Sequence, residues 1–559
     1  MSEPNPGPSE QGGVKPPPLR RPALSPTDVE LAMTEAVDAA RREAPPVRWR
    51  EILAVVALVA LADLTIYRGH GFAGFAVFLV GAPLLLLLGA PRPRLGPGFW
   101  VLGLMLVLAA ARLLWCGSWL TVVAGLGVLA GFAMVLAGLR PYVLEALVFA
   151  SQTVLAGYEG LRTWRRSSRG VNPAIARGHW LEFGLPLAAL VAFGLLFIVA
   201  NPDLLDAFGE TVEELLSALR EWIIGVSPEW QELLFWAAVL WIAVGLLRPV
   251  VTQALFAEAP PVAGIAQPGD AGAAPRAVYA ACRNTLGTVI VLFAVYLVFE
   301  FSTLWFREFP KGFCFSGYAH EGAAWLTVAL ALATVVLSLV FRGQVLGDPR
   351  VRVLRRLAWI WSIENLLLAV AVYHRLWIYV GFNGMTRMRT VGIFGVSCVV
   401  AGFILVIWKI VYRRDFVWLL RRQLWALALA VYLYGLTPVD ALVHAYNARR
   451  ILDDDPAPSV EISMHPISAE GVPALIPLVE CENKTIREGI CAMLAQVQLD
   501  AEARATECGE LGWTAHQIAE RRMLEQLRAA EGHWKEYLDD PWKRQTALGK
   551  FHKYAYEWY

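Results

Sequence analysis

GFAGFAVFLVGAPLLLLLG, residues 71–89, runs for nineteen residues without a charge. Coiled as an α-helix it is about 28 Å long, close to the roughly 30 Å of hydrocarbon in a bilayer. A soluble protein has no place for a helix apolar on every side, so this stretch reads as a transmembrane helix. Comparable stretches recur on both sides of it, at 52–67, 99–116, 119–138, 181–200, 233–247, 288–306, 323–341, 357–379, 391–411 and 424–436. Together they predict an all-α, polytopic transmembrane helix bundle of about eleven spans.

Composition points the same way. Of the 559 residues, 57% are apolar and only 17% charged, far from the soluble norm. A net charge of +1 lacks the basic footprint that phosphate recognition needs, so no nucleic-acid partner is expected. The excess of Arg over Lys fits a GC-rich bacterial genome. Seven cysteines, with no CxxC pair or metal-ligand spacing, predict no metal and no cofactor.

Three regions follow. Residues 1–47 are rich in Pro, Gly and charge and read as disordered, apart from one short amphipathic helix opening at Ser25-Pro26-Thr27-Asp28 and ending near Arg42. Residues 48–440 form the transmembrane domain. Residues 441–559 form a soluble helical tail, in which Val472-Pro473-Ala474-Leu475-Ile476-Pro477-Leu478 followed by Ile486-Arg487-Glu488-Gly489 is HEAT-like. Its aromatic end, from Trp534 to Tyr559, suits packing or contact with the membrane interface.

Arginines set the expected orientation, because cytoplasmic loops retain Arg and Lys. With the N-terminus inside, Arg48, Arg50, Arg92, Arg94, Arg140, Arg350 to Arg356 and Arg414 to Arg422 all fall inside. The acidic stretch Asp203, Asp206, Glu210, Glu213 and Glu214 then belongs to an outer amphipathic helix. Residues 141–157 are apolar but broken by Glu145, Ser151 and Gln152, and they read as an interfacial helix rather than a span. The odd span count exports the tail from the inner membrane. Cys481 and Cys491 then meet an oxidising compartment, where a bridge between them is conceivable.

Ionisable groups at membrane depth are costly and mark polar interiors. Glu321, Arg389, Arg375, Asp63, Arg112 and Glu300 lie toward the outer ends of their spans and are expected to form one outer polar network centred on a Glu321–Arg389 pair. The plain alternative is that they snorkel or form separate structural pairs. Glu364 is the exception, placed mid-span. No GxxxxGK[ST] loop, HExxH helix or complete nucleophile elbow is present.

Tyr318-Ala319-His320-Glu321-Gly322, the stretch from Arg375 through Tyr379, Gly384 and Thr386 to Arg389, and Thr437-Pro438-Val439-Asp440-Ala441 with Asn447 are short motifs. They resemble those of a bacterial multipass family, a domain of unknown function of the 4153/4173 type. Gly471-Val472-Pro473-Ala474-Leu475 completes the series, and the resemblance covers roughly residues 63–494. His320 replaces a usual basic residue, Met385 stands where Leu is common, and a family Tyr is shifted to Phe382. The resemblance implies a multipass membrane domain and assigns no activity. Three classes of function fit these readings. The first is a non-enzymatic scaffold or regulator, with the lipid bilayer as its medium and a protein partner on the tail. A transporter using the outer charges and an integral membrane transferase are the alternatives.

Overall fold

The computed structural model describes residues 47–169, 229–248, 276–304, seven positions between 325 and 336, 350–412, 414 and 416–558. The expected N-terminal helix, the span at 181–200 and the acidic helix at 203–216 lie outside these residues, as does most of the span at 323–341. The described chain is helical, with no strand among its residues.

Helix α1 (Trp49–Ala62) continues as a π-helical turn, Asp63–Tyr67. Helices α2 (Phe72–Gly89), α3 (Pro97–Cys116) and α4 (Trp119–Leu136) follow as a tight up-and-down set. Pro97, with no N–H to leave orphaned, opens α3, and the Ser118 hydroxyl caps α4 by accepting from Thr121 N–H. Leu79, Leu86, Leu102, Leu106, Leu113 and Phe132 form the core between them.

Helix α6 (Trp230–Leu247) packs against α1 and α5 (Val143–Arg169), and α7 (Arg276–Leu304) lies along α8 (Val351–Asn383). Helices α9 (Arg387–Tyr412) and α10 (Phe416–Leu436) complete the bundle. Among the described residues seven helices are long and apolar enough to cross a membrane, or eight if α10 is joined to the next helix across a 62° bend.

The two ends of the bundle differ. Arg48, Arg92, Arg94, Arg140 and Arg350 lie at one end. The turns 68–71 and 117–118 lie at the other, where the tail sits. Helix α5 does not pass between them. Its Glu145 is bonded by Arg421 of the first turns of α10, and its Trp164 by Glu51 of the first turn of α1, so both of its ends are held at the arginine-rich end.

The tail begins with α11 (Val439–Leu452) and continues through α12 (Ser459–Met464), a 3-10 helix (Val472–Glu480), α13 (Lys484–Leu511), α14 (Ile518–Ala530), α15 (Lys535–Asp539) and α16 (Pro541–Tyr556). Asn483 caps α13 and Asp540 caps α16, each accepting two backbone N–H groups. Residues 472–480 differ from the HEAT-like expectation. Pro473 and Pro477 each remove a backbone donor, and the segment forms a 3-10 helix rather than the first α-helix of a HEAT pair. The tail closes instead by laying α16 on α13, where Gly489 leaves room for the Phe551 ring.

Candidate functional site

Carboxylates and guanidinium groups of the membrane domain meet in separate places. Glu300 on α7 takes both of its oxygens to Arg375 Nη2 of α8, at 2.6 and 2.7 Å, and accepts from the Tyr296 hydroxyl at 2.8 Å. Both partners are buried. Asp63 accepts from Trp236 Nε1 at 2.8 Å, and Arg68 lies between Asp63 (3.1 Å) and Glu232 (2.6 Å). At the opposite end Glu51 binds Arg248 and Trp164.

Arg112, near the end of α3, points into the tail. It bonds both oxygens of Glu470, at 2.5 and 2.8 Å, and donates to the carbonyls of Gly435 and Thr437. Around it the tail covers the helix turns. The His70 N–H donates to the Thr514 hydroxyl at 3.1 Å, the Gly117 N–H donates to Gln517 Oε1 at 2.8 Å, and the Arg522 guanidinium lies 5.0 Å from the Trp115 ring. Each contact satisfies a backbone group or charge exposed where a span ends.

A second seam joins the α8–α9 turn to α11. Gly384 holds φ +90° there, a conformation that favours glycine, and a Cβ would strike the Asn447 amide. Asn447 pairs with Met385 in both directions: it accepts from Met385 N–H at 2.7 Å and donates to Met385 O at 2.8 Å. Thr386 accepts from the Arg389 N–H and so caps α9. Arg387 binds Asp440 through two nitrogens, and the Ser468 N–H adds a bond of 2.8 Å. Burial pushes the Asp440 carboxyl up, but the bonds from Arg387 and Ser468 outweigh it and bring the carboxyl down to about 2. One turn on, burial pushes the His444 imidazole down to about 4. Burial raises the Glu461 carboxyl, against the pull of His465 at 3.5 Å and of Arg389.

The five described residues of the six expected in the network therefore do not share one network. Asp63, Arg112 and the Glu300–Arg375 pair each have partners of their own. Arg389 bonds its own turn through Gly384 O, with its guanidinium 5.8 Å from the Tyr379 ring. Glu321, Tyr318 and Gly322 lie outside the described residues. Of the family-motif positions, Tyr379, Gly384, Thr386 and Asn447 gather at the seam. Cys481 and Cys491 are both buried, free thiols, so the conceivable bridge is not formed. No cluster of metal-ligating side chains occurs among the described residues.

Sequence reasoning missed Glu51, Glu232, Arg248 and Glu470, the partners that complete these pairs. Three of them sit at the end of a membrane-domain helix, where a charge looks like an ordinary interface residue. Glu470 lies in a tail loop with no periodicity. The arrangement is a set of clamps, two of which bind the tail to the bundle.

No curated protein and no solved structure matches the chain. A family profile described as domain of unknown function (DUF4153) does match, over residues 56–478, which runs from α1 through the Arg387–Asp440 seam into the tail. The 4153 type rather than the 4173 type is thus the one identified, and this membrane-embedded chain belongs to the DUF4153 family.

Proposed function

We propose that this chain is a non-enzymatic scaffold or regulatory component of a bacterial inner membrane, which presents a rigidly mounted helical tail to an envelope protein. The observation that carries this reading is the double clamp, Arg112–Glu470 and Arg387–Asp440 with Asn447, which fixes the tail to α3, to α9 and to the α8–α9 turn. A mobile appendage would not consume buried carboxylates in this way, because ordering two partners of an ion pair has to be offset by its surroundings. Of the candidate path charges of the transporter alternative, Glu300 and Arg375 pair between helices, and Asp63 and Arg112 have partners of their own.

The topology of this reading has eleven spans. They are α1 with its π turn, α2 to α4, α6 to α10, and the apolar stretches 181–200 and 323–341. The arginine-rich end faces the cytoplasm together with the N-terminus, and the tail is external. The tail's aromatic Trp542, 78% exposed, marks the face offered to a partner.

The test places a photo-crosslinking amino acid at Trp542 in cells and, in parallel, reconstitutes the purified protein in liposomes. A discrete adduct from position 542 with no solute or ion flux supports the scaffold. Flux without an adduct transfers the case to a transporter.

A further inference from the structure

Five acidic side chains belong to the described spanning helices: Glu51, Asp63, Glu232, Glu300 and Glu364. The first four each face a guanidinium, from Arg248, Arg68 or Arg375. Glu364, in the middle of α8, has no hydrogen bond or ion pair among the described residues, and its Oε2 is wholly buried. Two neighbours share this condition. Trp361, three residues earlier and so on the same stripe of the helix, has no acceptor for its Nε1. Asn365 has no donor for its Oδ1, and both side chains are 1% exposed.

Asn365 and Ser362 also line a cavity of about 210 Å³ between α8 and α9, whose other walls are apolar, among them Val400, Phe403 and Ile407. Glu364 and Trp361 are not among the residues lining this almost wholly apolar cavity, so the unsatisfied polar groups of α8, and not the open volume, mark the site. Ionised, Glu364 would be a bare carboxylate among hydrocarbon side chains. As the acid it asks only for a hydrogen-bond partner.

We propose that Glu364 is a proton-binding site in the middle of the membrane domain, with the unsatisfied Trp361 and Asn365 as its polar neighbours along α8. This goes beyond the scaffold reading and holds or fails independently of it.

Groups that would interfere are remote or engaged. On α7, Tyr279 donates to Arg350 O, Tyr296 and Glu300 are bonded together, and Cys282 and Arg283 lie in the first two turns. On α9, Arg387 and Arg389 belong to the seam, Lys409 and Tyr412 to the opposite end, and Cys398 is the only titratable group between them. The described positions 325–336 carry no titratable group. On α8 itself Arg375 is bound to Glu300, and Tyr373 bonds Ser397. His374 stands nearly three turns from Glu364.

The test uses dicyclohexylcarbodiimide on the full-length protein in liposomes, with the adduct mapped by peptide mass spectrometry. This apolar reagent adds to a protonated carboxyl: the acid proton passes to a reagent nitrogen and the carboxyl oxygen bonds the central carbon. At pH 6.5 Glu364 should be labelled at least about tenfold more than Glu51, Glu232 or Glu300. Labelling should then fall about tenfold per pH unit beyond its titration midpoint. Labelling no greater than at the paired carboxylates, or unchanged up to pH 10, would overturn the proposal. Protection by sodium at fixed pH would also overturn it, in favour of a metal-cation site.

Discussion

In the membrane bundle many large apolar side chains point outward, whereas in the tail most point inward. Trp100, Leu104 and Val107 of α3 stand in the open, while Ala109, Ala110 and Leu113 of the same helix face its neighbours. In the tail Trp534, Phe551, Ile490 and Leu527 are fully buried and charged residues cover the surface. Water drives the tail together, because apolar area leaves the solvent. Lipid gives no such force to the bundle, so close packing of small residues and charge pairs between helices have to hold it. The difference teaches that one chain uses two separate sources of cohesion, and that the clamps are where they meet.

The largest test of this contrast is tryptophan truncation. Trp534→Ala removes a ring that is fully buried and donates to Gln498 Oε1 at 2.9 Å, and it should destabilise the tail by about 4–5 kcal/mol. Trp100→Ala, on the lipid side of α3, should leave unfolding almost unchanged. Thermal unfolding followed by tail proteolysis compares the two, and equal losses would erase the distinction.

A smaller effect tests the charge pairs. Arg375→Gln strands the buried Glu300 and should cost about 3–4 kcal/mol, whereas the double change Arg375→Gln with Glu300→Gln should cost clearly less. The readout is a double-mutant cycle on the detergent-solubilised protein. Additive losses would mean that the pair does not hold α7 to α8.

The smallest effect concerns pH at the seam. His444 is buried with its imidazole held down to about 4, so the unfolded chain takes up a proton before the folded one does. Stability at the seam should be full above about pH 6.5 and fall by up to about 3 kcal/mol as pH drops toward 4. Asp440 runs on lower ground: its depressed carboxyl contributes stability that is lost only as pH falls from about 4 toward 2. Hydrogen exchange of residues 439–452 between pH 7 and 4 measures the first, and His444→Gln should flatten the curve. An unchanged slope in that variant would remove His444 from the account.

The spans and the tail were legible to different degrees. Runs such as 71–89 and 391–411 leave a helix in a membrane as the only reading, since every backbone group must be satisfied within the segment. Residues 141–157 also read as interfacial, from Glu145, Ser151 and Gln152 breaking the apolar run, and the structure adds that both ends of α5 are held at the arginine-rich end. The HEAT-like pair was not, because two prolines in seven residues favour a 3-10 helix over the helical repeat that the leucines suggest. Among the site residues, Arg375 and Glu300 could be picked out singly as charges at membrane depth. Their mutual pairing could not, since the two residues lie 75 positions apart.

By itself the sequence determined that the chain is a helical membrane protein with an arginine-rich end and a polar tail. Those properties follow from the run length, the composition and the cost of charge in hydrocarbon, which every residue carries locally. Only the tertiary structure decided that Arg112 belongs to Glu470, that Asn447 holds the Gly384 turn, and that Glu364 alone among the described spanning carboxyls has no cation beside it. Partnership depends on which helices become neighbours. That is set by packing across the whole bundle and leaves no periodic trace in the chain.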